Sequence, residues 1–166
     1  MSSELQIDKL LTKMIEIILE SCSGSDFAVI ATGSEDVGFA VAAAGDLDKG
    51  QKAFLDGLPF SKMEDKMAQQ ISHYTLRTRE EVLVYNVLED ERFSNVSDAY
   101  QARYPLGRSV ITLPIIQADN VLGVIHIEGK PNSFTQRNVV VLHLLCTQVG
   151  ISLANAELFR KVRKIR

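Results

Sequence analysis

Cysteine is nearly missing from this 166-residue chain: only Cys22 and Cys146 occur, far apart and each inside an apolar helical pattern. Two such residues build neither a disulfide framework nor the paired spacing of a zinc site. A basic excess is missing too. The 18 Lys and Arg are outnumbered by 21 Asp and Glu, for a net charge of −3. No general cationic surface is available to hold a phosphate backbone, which excludes nucleic acid as an expected partner. No uninterrupted apolar run approaches the roughly 20 residues of a membrane-spanning helix. The start, Met1 to Leu5, also lacks the basic-then-apolar pattern of a secretory leader. A cytoplasmic protein without membrane insertion is the expectation. Catalytic signatures are absent as well, since the chain has no Gly-x-Ser-x-Gly, no glycine-rich phosphate loop and no His-Glu-x-x-His.

What is present is an ordinary core-forming composition, 46% hydrophobic, at a length suited to one compact domain spanning 1–166. Leu5, Ile7, Leu10, Leu11, Met14, Ile15, Ile18 and Leu19 predict a helix over about 4–22, apolar on more than one face and ended by Ser23, Gly24 and Ser25. The short apolar runs 27–31 and 38–43 flank a loop-forming stretch and predict an antiparallel hairpin. Residues 44–50 read as turn chemistry and 54–59 as an irregular piece. A second helix is expected from Ser61 or Lys62 to about Arg77, with Met63, Met67, Ile71 and Tyr74 forming one inward stripe. A short strand at 82–85 precedes the weakly patterned segment 86–104, which holds a short helix near 97–103. Long irregular connections in compact domains often serve as lids, so this one is the natural roof of a pocket. Strands 109–116 and 121–128 are joined by a tight turn at 117–120. From Thr135, a cap with Asn138 at its third helical position, a last helix runs over 135–166 and continues toward an output domain.

That last helix predicts assembly. Leu144, Ile151, Leu158 and Ile165 recur every seven residues, and Val141, Gln148, Asn155 and Val162 fill the alternate seam position. A second stripe, Leu142, Leu145, Val149, Leu153 and Ala156, is placed to pack on a sheet. The expected homodimer seam is therefore Leu144, Ile151, Leu158, Val162 and Ile165. A two-helix layer within one chain is the competing use of the same residues.

Three histidines, His73, His126 and His143, fall on three separate elements, without the convergence a metal site requires. Strand alternation places Leu122, Val124, His126 and Glu128 on one face of their strand, opposite Val121, Gly123, Ile125 and Ile127. The face holding His126 and Glu128 is the candidate pocket wall.

The sequence resembles the GAF domain family, small regulatory modules, and above all the GAF domains attached to sensor and hybrid histidine kinases. The resemblance is carried by segments 109–116 and 121–128, by Phe134 and Thr135 leading into the last helix, and upstream by 58–61, 71–74, 78–84, 90–93 and Pro105. It implies an α+β, GAF/PAS-like fold: a central antiparallel sheet of five to six strands, with the N- and C-terminal helices on one face. On the other face a helix-loop layer covers a pocket. It also implies a sensory or dimerising module of a signalling kinase in a two-component system, not an enzyme. The expected partners are a second copy, a small-molecule ligand and a kinase output domain in the same chain. Candidate ligand contacts are Phe60, Met67, His73, Tyr74, Thr112 and His126. The competing reading is a ligand-free dimerisation scaffold, its pocket packed by Phe60, Met67, Tyr74, Thr112 and Val124.

The branches of that family differ in the residues they require, and no cofactor is assigned by them. Free methionine sulfoxide reductases act through cysteines between the middle helix and the strand hairpin, where residues 61–128 contain none. Cyclic-nucleotide binders carry Asn-Lys, a following Phe and then Asp-Glu. This chain has Gly129-Lys130, Phe134 and Asn138-Val139, departing at three of the five positions. Bilin attachment needs a cysteine beside the pocket, and haem binding needs a pocket histidine, for which His73 and His126 are the candidates.

Overall fold

The computed structural model describes the backbone of residues 3–47, 51–54, 60–63 and 65–165, and the side chains of residues 6–47, 62–63 and 65–158. In chain order the elements are α1 (Ser3–Ser21), β1 (Ser25–Ser34), β2 (Gly38–Asp46), β3 (Gln51–Phe54), a 3₁₀ turn (Phe60–Met63), α2 (Gln69–Thr78) and β4 (Val82–Val84). A second 3₁₀ turn (Val87–Glu89), α3 (Asp98–Arg103), β5 (Ser109–Gln117), β6 (Asn120–Gly129) and α4 (Gln136–Ile165) complete it. The six strands form one sheet in the order β3-β2-β1-β6-β5-β4, antiparallel at every pairing.

Alternation along the central strands divides the molecule into two layers. Ala28 and Ile30 of β1, Ile111, Leu113 and Ile115 of β5, and Ile125 and Ile127 of β6 share a core with Leu11, Ile15 and Ile18 of α1 and Leu142, Cys146 and Val149 of α4. The intervening residues Phe27, Val29, Ala31 and Val124 point the other way, onto Met63 and Met67. Further along that second face, Val110, Val82 and Val84 pack with Ile71, Phe93 and Tyr100. The terminal helices thus cover one face, and α2, α3 and the connecting loops cover the other.

Several details differ from the sequence reading. The helix expected from 61 or 62 is split into a 3₁₀ turn and a later α2. Lys66 and Met67 turn back to the Met63 carbonyl, but the Ala68 N–H is donated to the carboxylate of Glu128, so the chain restarts its helix there. Residues 44–46 extend β2 and pair with an unforeseen edge strand, Ala44 opposite Phe54 and Asp46 opposite Gln51. Leu122 leaves the face assigned to it. A bulge shifts the β5–β6 register between Ile115 and Ile116, which turns Leu122 toward the α1–α4 core.

The β5–β6 turn places Ala118 at φ 50° and Asp119 at φ 66°, the paired positive values of the tight hairpin turn that matches strand twist. At the start of α4, the Thr135 N–H donates to Asn138 Oδ1 at 2.9 Å, closing the anticipated cap. By length and composition the α4 segment Gln136–Leu158 could cross a membrane, a feature that counting uninterrupted apolar runs missed. One stripe of it is core, as above. A different stripe is exposed: Leu144 by 69%, Ile151 by 41% and Leu158 by 62%.

β1 and β6 approach closely at Gly123, where a Cβ would lie 2.0 Å from the Ala31 carbonyl oxygen. Backbone cannot yield there as a flexible side chain would. Gly123→Ala is expected to lower unfolding free energy by about 1–3 kcal/mol, read by chemical denaturation; an unchanged midpoint would contradict this packing.

Candidate functional site

The polar residues of the second sheet face are organised around one carboxylate. Glu128, on β6, is fully buried. Its Oε2 accepts the Ala68 N–H at 2.6 Å and lies 2.6 Å from His126 Nε2, while Oε1 accepts the Tyr100 hydroxyl at 2.7 Å. Arg108 Nε stands 3.6 Å from Oε1. Arg108, in turn, holds Asp26 through both terminal guanidinium nitrogens and stacks over the Tyr104 ring, 4.2 Å from its centre. Two further bonds tie α2 to the sheet: Ser72 Oγ to His126 Nδ1 at 2.6 Å, and Thr75 Oγ1 to Thr112 Oγ1 at 2.6 Å.

Local structure explains why α2 needs this carboxylate. Its N-cap, Ala68, has no side chain able to accept a hydrogen bond; the Gln69 and Ile71 amides turn to the Met67 and Ala68 carbonyls at 2.9 and 3.1 Å. Glu128 accepts the Ala68 amide itself from another element, and its charge also suits the positive end of the helix. Burial alone would push the Glu128 carboxyl up; the donated bond and charge of His126, the Arg108 charge and the Tyr100 hydroxyl outweigh it and hold it below the ordinary value of 4.5. Burial, with Glu128 beside it, raises the Tyr100 phenol, which keeps its proton as a donor. A buried carboxylate this well supplied with donors is a clamp.

Ser72, His126 and Glu128 lie in the order of a hydrolase triad. They cannot act as one, because Ser72 is fully buried between α2 and the sheet and its hydroxyl meets no open space. Both nitrogens of His126 are engaged, so no lone pair faces a haem iron. Among the described residues there is no group of three or more His, Cys, Asp and Glu able to hold a metal ion. The two cysteines are buried and lie on the α1–α4 side, with burial pushing the thiols up to about 11 for Cys22 and about 12 for Cys146. Neither is a reactive thiolate near neutral pH.

The open space lies on the outer flank of α2. A cleft of about 680 Å³ is bounded by Met67, Gln69, Gln70, His73, Tyr74 and Arg77 on one side, and by Arg92, Phe93, Asn95, Val96 and Tyr100 on the other. Its second wall comes from the 86–104 segment expected to form a roof, held to α2 by Gln70 Nε2 donating to the Phe93 carbonyl at 2.9 Å. Of the sequence-predicted contacts, Met67, His73 and Tyr74 come together here. Thr112 and His126 lie beneath α2 and bind the helix itself, and the Phe60 side chain falls outside the described residues. Glu128 was foreseen as a polar intruder on its strand, but Asp26, Ser72, Tyr100 and Arg108 were missed. They lie 82 residues apart (Asp26 and Arg108), 54 apart (Ser72 and His126) and 28 apart (Tyr100 and Glu128), so no local pattern could have joined them.

An antiparallel sheet with paired terminal helices on one face and a clamped helix-loop roof beside a cleft on the other defines a small sensory-module class. The GAF domain model matches residues 4–154, and the chain belongs to the GAF domain family. It is 28% identical over 98% of its length to the peroxide stress-activated histidine kinase mak3 of Schizosaccharomyces pombe. It is 30% identical over 60% of its length to the hybrid signal transduction histidine kinase G of Dictyostelium discoideum. The chain spans 7% and 3% of those two proteins. Among solved structures, a type II free methionine-R-sulfoxide reductase from Thermoplasma acidophilum superposes with a TM-score of 0.67 at 12% identity, covering 93% of this chain and 96% of that one. The GAF domain of a two-component sensor histidine kinase from Bacillus halodurans gives 0.63 at 20% identity, covering 92% and 96%. At these identities the superpositions speak for the fold.

Removing the clamp's charge has a defined sign. The folded-state value of Glu128 lies below 4.5, so its stabilisation is present above 4.5 and lost as pH falls through the folded value. Glu128→Gln is expected to cost about 3–5 kcal/mol near neutral pH, with the gap to the parent protein narrowing below pH 4.5 in denaturation curves. A pH-independent gap would contradict the clamp.

Proposed function

We propose that this chain is the regulatory GAF domain of a cytoplasmic histidine kinase, that it binds a small molecule in the α2 cleft, and that it relays occupancy through α1 and α4. The observation that carries this reading is the similarity of 98% of this chain, at 28% identity, to a 7% stretch of a histidine kinase, joined to the position of the cleft. Its inner wall is α2, hung from β6 by Glu128, and the opposite face of the same strand packs on α1 and α4 through Ile125 and Ile127. A ligand that moves α2 therefore acts on the strand that supports the terminal helices. It shifts the helices only by its differential affinity for two arrangements, with about 1.4 kcal/mol for each tenfold.

Assembly as a homodimer is the second part of the proposal. Val140, Val141, Leu144, Ile151 and Leu158 are exposed along α4, and such an apolar stripe on a helix, interrupted by Gln148 and Asn155, calls for a partner. The side chains of Val162 and Ile165, which would continue that seam, lie outside the described residues. The same stripe favours the alternative of a ligand-free dimerisation scaffold. A thiol-based reductase activity finds no support, given the buried Cys22 and Cys146.

Native mass spectrometry of freshly purified protein separates these readings. A sensory domain gives a dimer carrying an extra mass released on denaturation, and a scaffold gives a bare dimer. Ile151→Asp combined with Leu158→Asp should yield a folded monomer; a double variant that stays dimeric would sink the α4 seam.

A further inference from the structure

The α2 cleft has a charge pattern opposite to that of the chain. The protein carries a net −3, yet the residues bounding the cleft include Arg77 and Arg92 and no acidic side chain. The two arginines approach from opposite walls, Arg77 from the last turn of α2 and Arg92 from the loop. Each guanidinium lies over an aromatic ring, Arg77 over Tyr74 at 5.7 Å and Arg92 over Phe93 at 4.8 Å. The two rings meet edge to face at 5.3 Å, so an aromatic corner is flanked by two planar donor forks. Arg92 Nε is 3.5 Å from Asp90, which offsets part of its charge. Arg77 makes no ion pair with the described residues. Glu80 stands behind the same corner, its carboxylate accepting the Tyr74 hydroxyl at 2.5 Å, so the positive excess that Arg77 and Arg92 bring to the cleft is reduced by neighbouring carboxylates.

The rest of the lining adds shape. Met67, Ala68 and Val96 give the cleft apolar surface. Burial, then Arg77 and His126, hold the His73 imidazole below its usual value, so His73 enters as a neutral polar group and not as a third cation.

We infer that the cleft binds a small organic monoanion: a carboxylate held by Arg77 and Arg92, with an aromatic or apolar body against Tyr74 and Phe93. Guanidinium forks match the planar carboxylate geometrically, and a positive excess reduced by Asp90 and Glu80 suits a monoanion better than a phosphate dianion. The cleft volume, about 680 Å³, falls in the ordinary range for small-molecule sites. This ligand class rests on the reading of the cleft as a sensory site.

A matched series tests it: 4-hydroxyphenylacetate, its neutral amide 4-hydroxyphenylacetamide, and the cationic 4-hydroxyphenethylamine. All three carry the same ring and hydroxyl and differ in charge. Titration is followed by amide NMR shifts at Gln69, His73 and Asn95. The expected result is that the anion binds about tenfold tighter than the other two, the effect two partly exposed ion pairs can supply. That preference should vanish in the Arg77→Gln, Arg92→Gln double variant while its thermal midpoint stays near the parent's. Equal binding of the amide or amine, or a preference that survives the double variant, overturns the ligand class but leaves the cleft as a ligand site. Failure of all three compounds to shift those amides at millimolar concentration overturns both.

Discussion

Glu128 is a carboxylate removed from water at the point where β6, α2, α3 and the approach to β5 meet. Burying such a charge is unfavourable unless hydrogen bonds and opposite charge compensate it. The compensation comes from hydrogen bonds with the Ala68 amide, the Tyr100 hydroxyl and the His126 ring, and from the charge of the Arg108 guanidinium 3.6 Å away. Each bond fixes the element that carries its partner. The start of α2 and the position of α3 therefore depend on a single side chain. Apolar packing alone would hold α2 against the sheet without fixing where the helix begins.

This arrangement gives the two faces of the sheet different mechanical characters. Toward α1 and α4 the contacts are aliphatic, built from Ile111, Leu113, Ile115, Ile125 and Ile127. Such contacts tolerate small sliding because they are not directional. Toward α2 and α3 the contacts are directional, and a shift of the roof must stretch or exchange hydrogen bonds at Glu128, His126 and Thr112. A roof with discrete bonding partners has discrete positions, which is what a population-shift mechanism requires. The cleft opens on the outer flank of α2, where His73, Tyr74 and Arg77 line its wall. The helix thus presents one side to the clamp and another to the cleft.

Much of the fold was legible because it is written in periodicity. The alternation of β5, that of β6 beyond Leu122, and the core stripe of α4 at Leu142, Leu145, Val149 and Leu153 appear where local pattern put them. The misses are places where a distant residue overrules a local one. Methionines spaced as on one helix suggested a continuous element from 61 or 62, but Glu128 captures the Ala68 amide and sets a new start. A single bulge reversed the parity of Leu122. Ala44, Gly45 and Asp46 read as turn chemistry because the strand character of this end of β2 depends on pairing with its neighbours. At the site, His126 and Glu128 stood out as polar residues in an apolar strand. Their partners did not, because Tyr100, Arg108 and Asp26 look like ordinary loop and strand-end residues until the sheet order brings them together. Thr112 and His126, reasonable choices for contacts on strand parity, serve the helix above them.

The central claim is that α2 and α3 are anchored to the sheet through Glu128, and residue-resolved hydrogen exchange on the parent protein and Glu128→Gln tests it most directly. The account predicts that loss of protection in the variant begins at the Ala68 amide and is confined to α2 and α3, while β1, β5 and β6 retain theirs. Protection lost evenly across the sheet, or unchanged at Ala68, would contradict it.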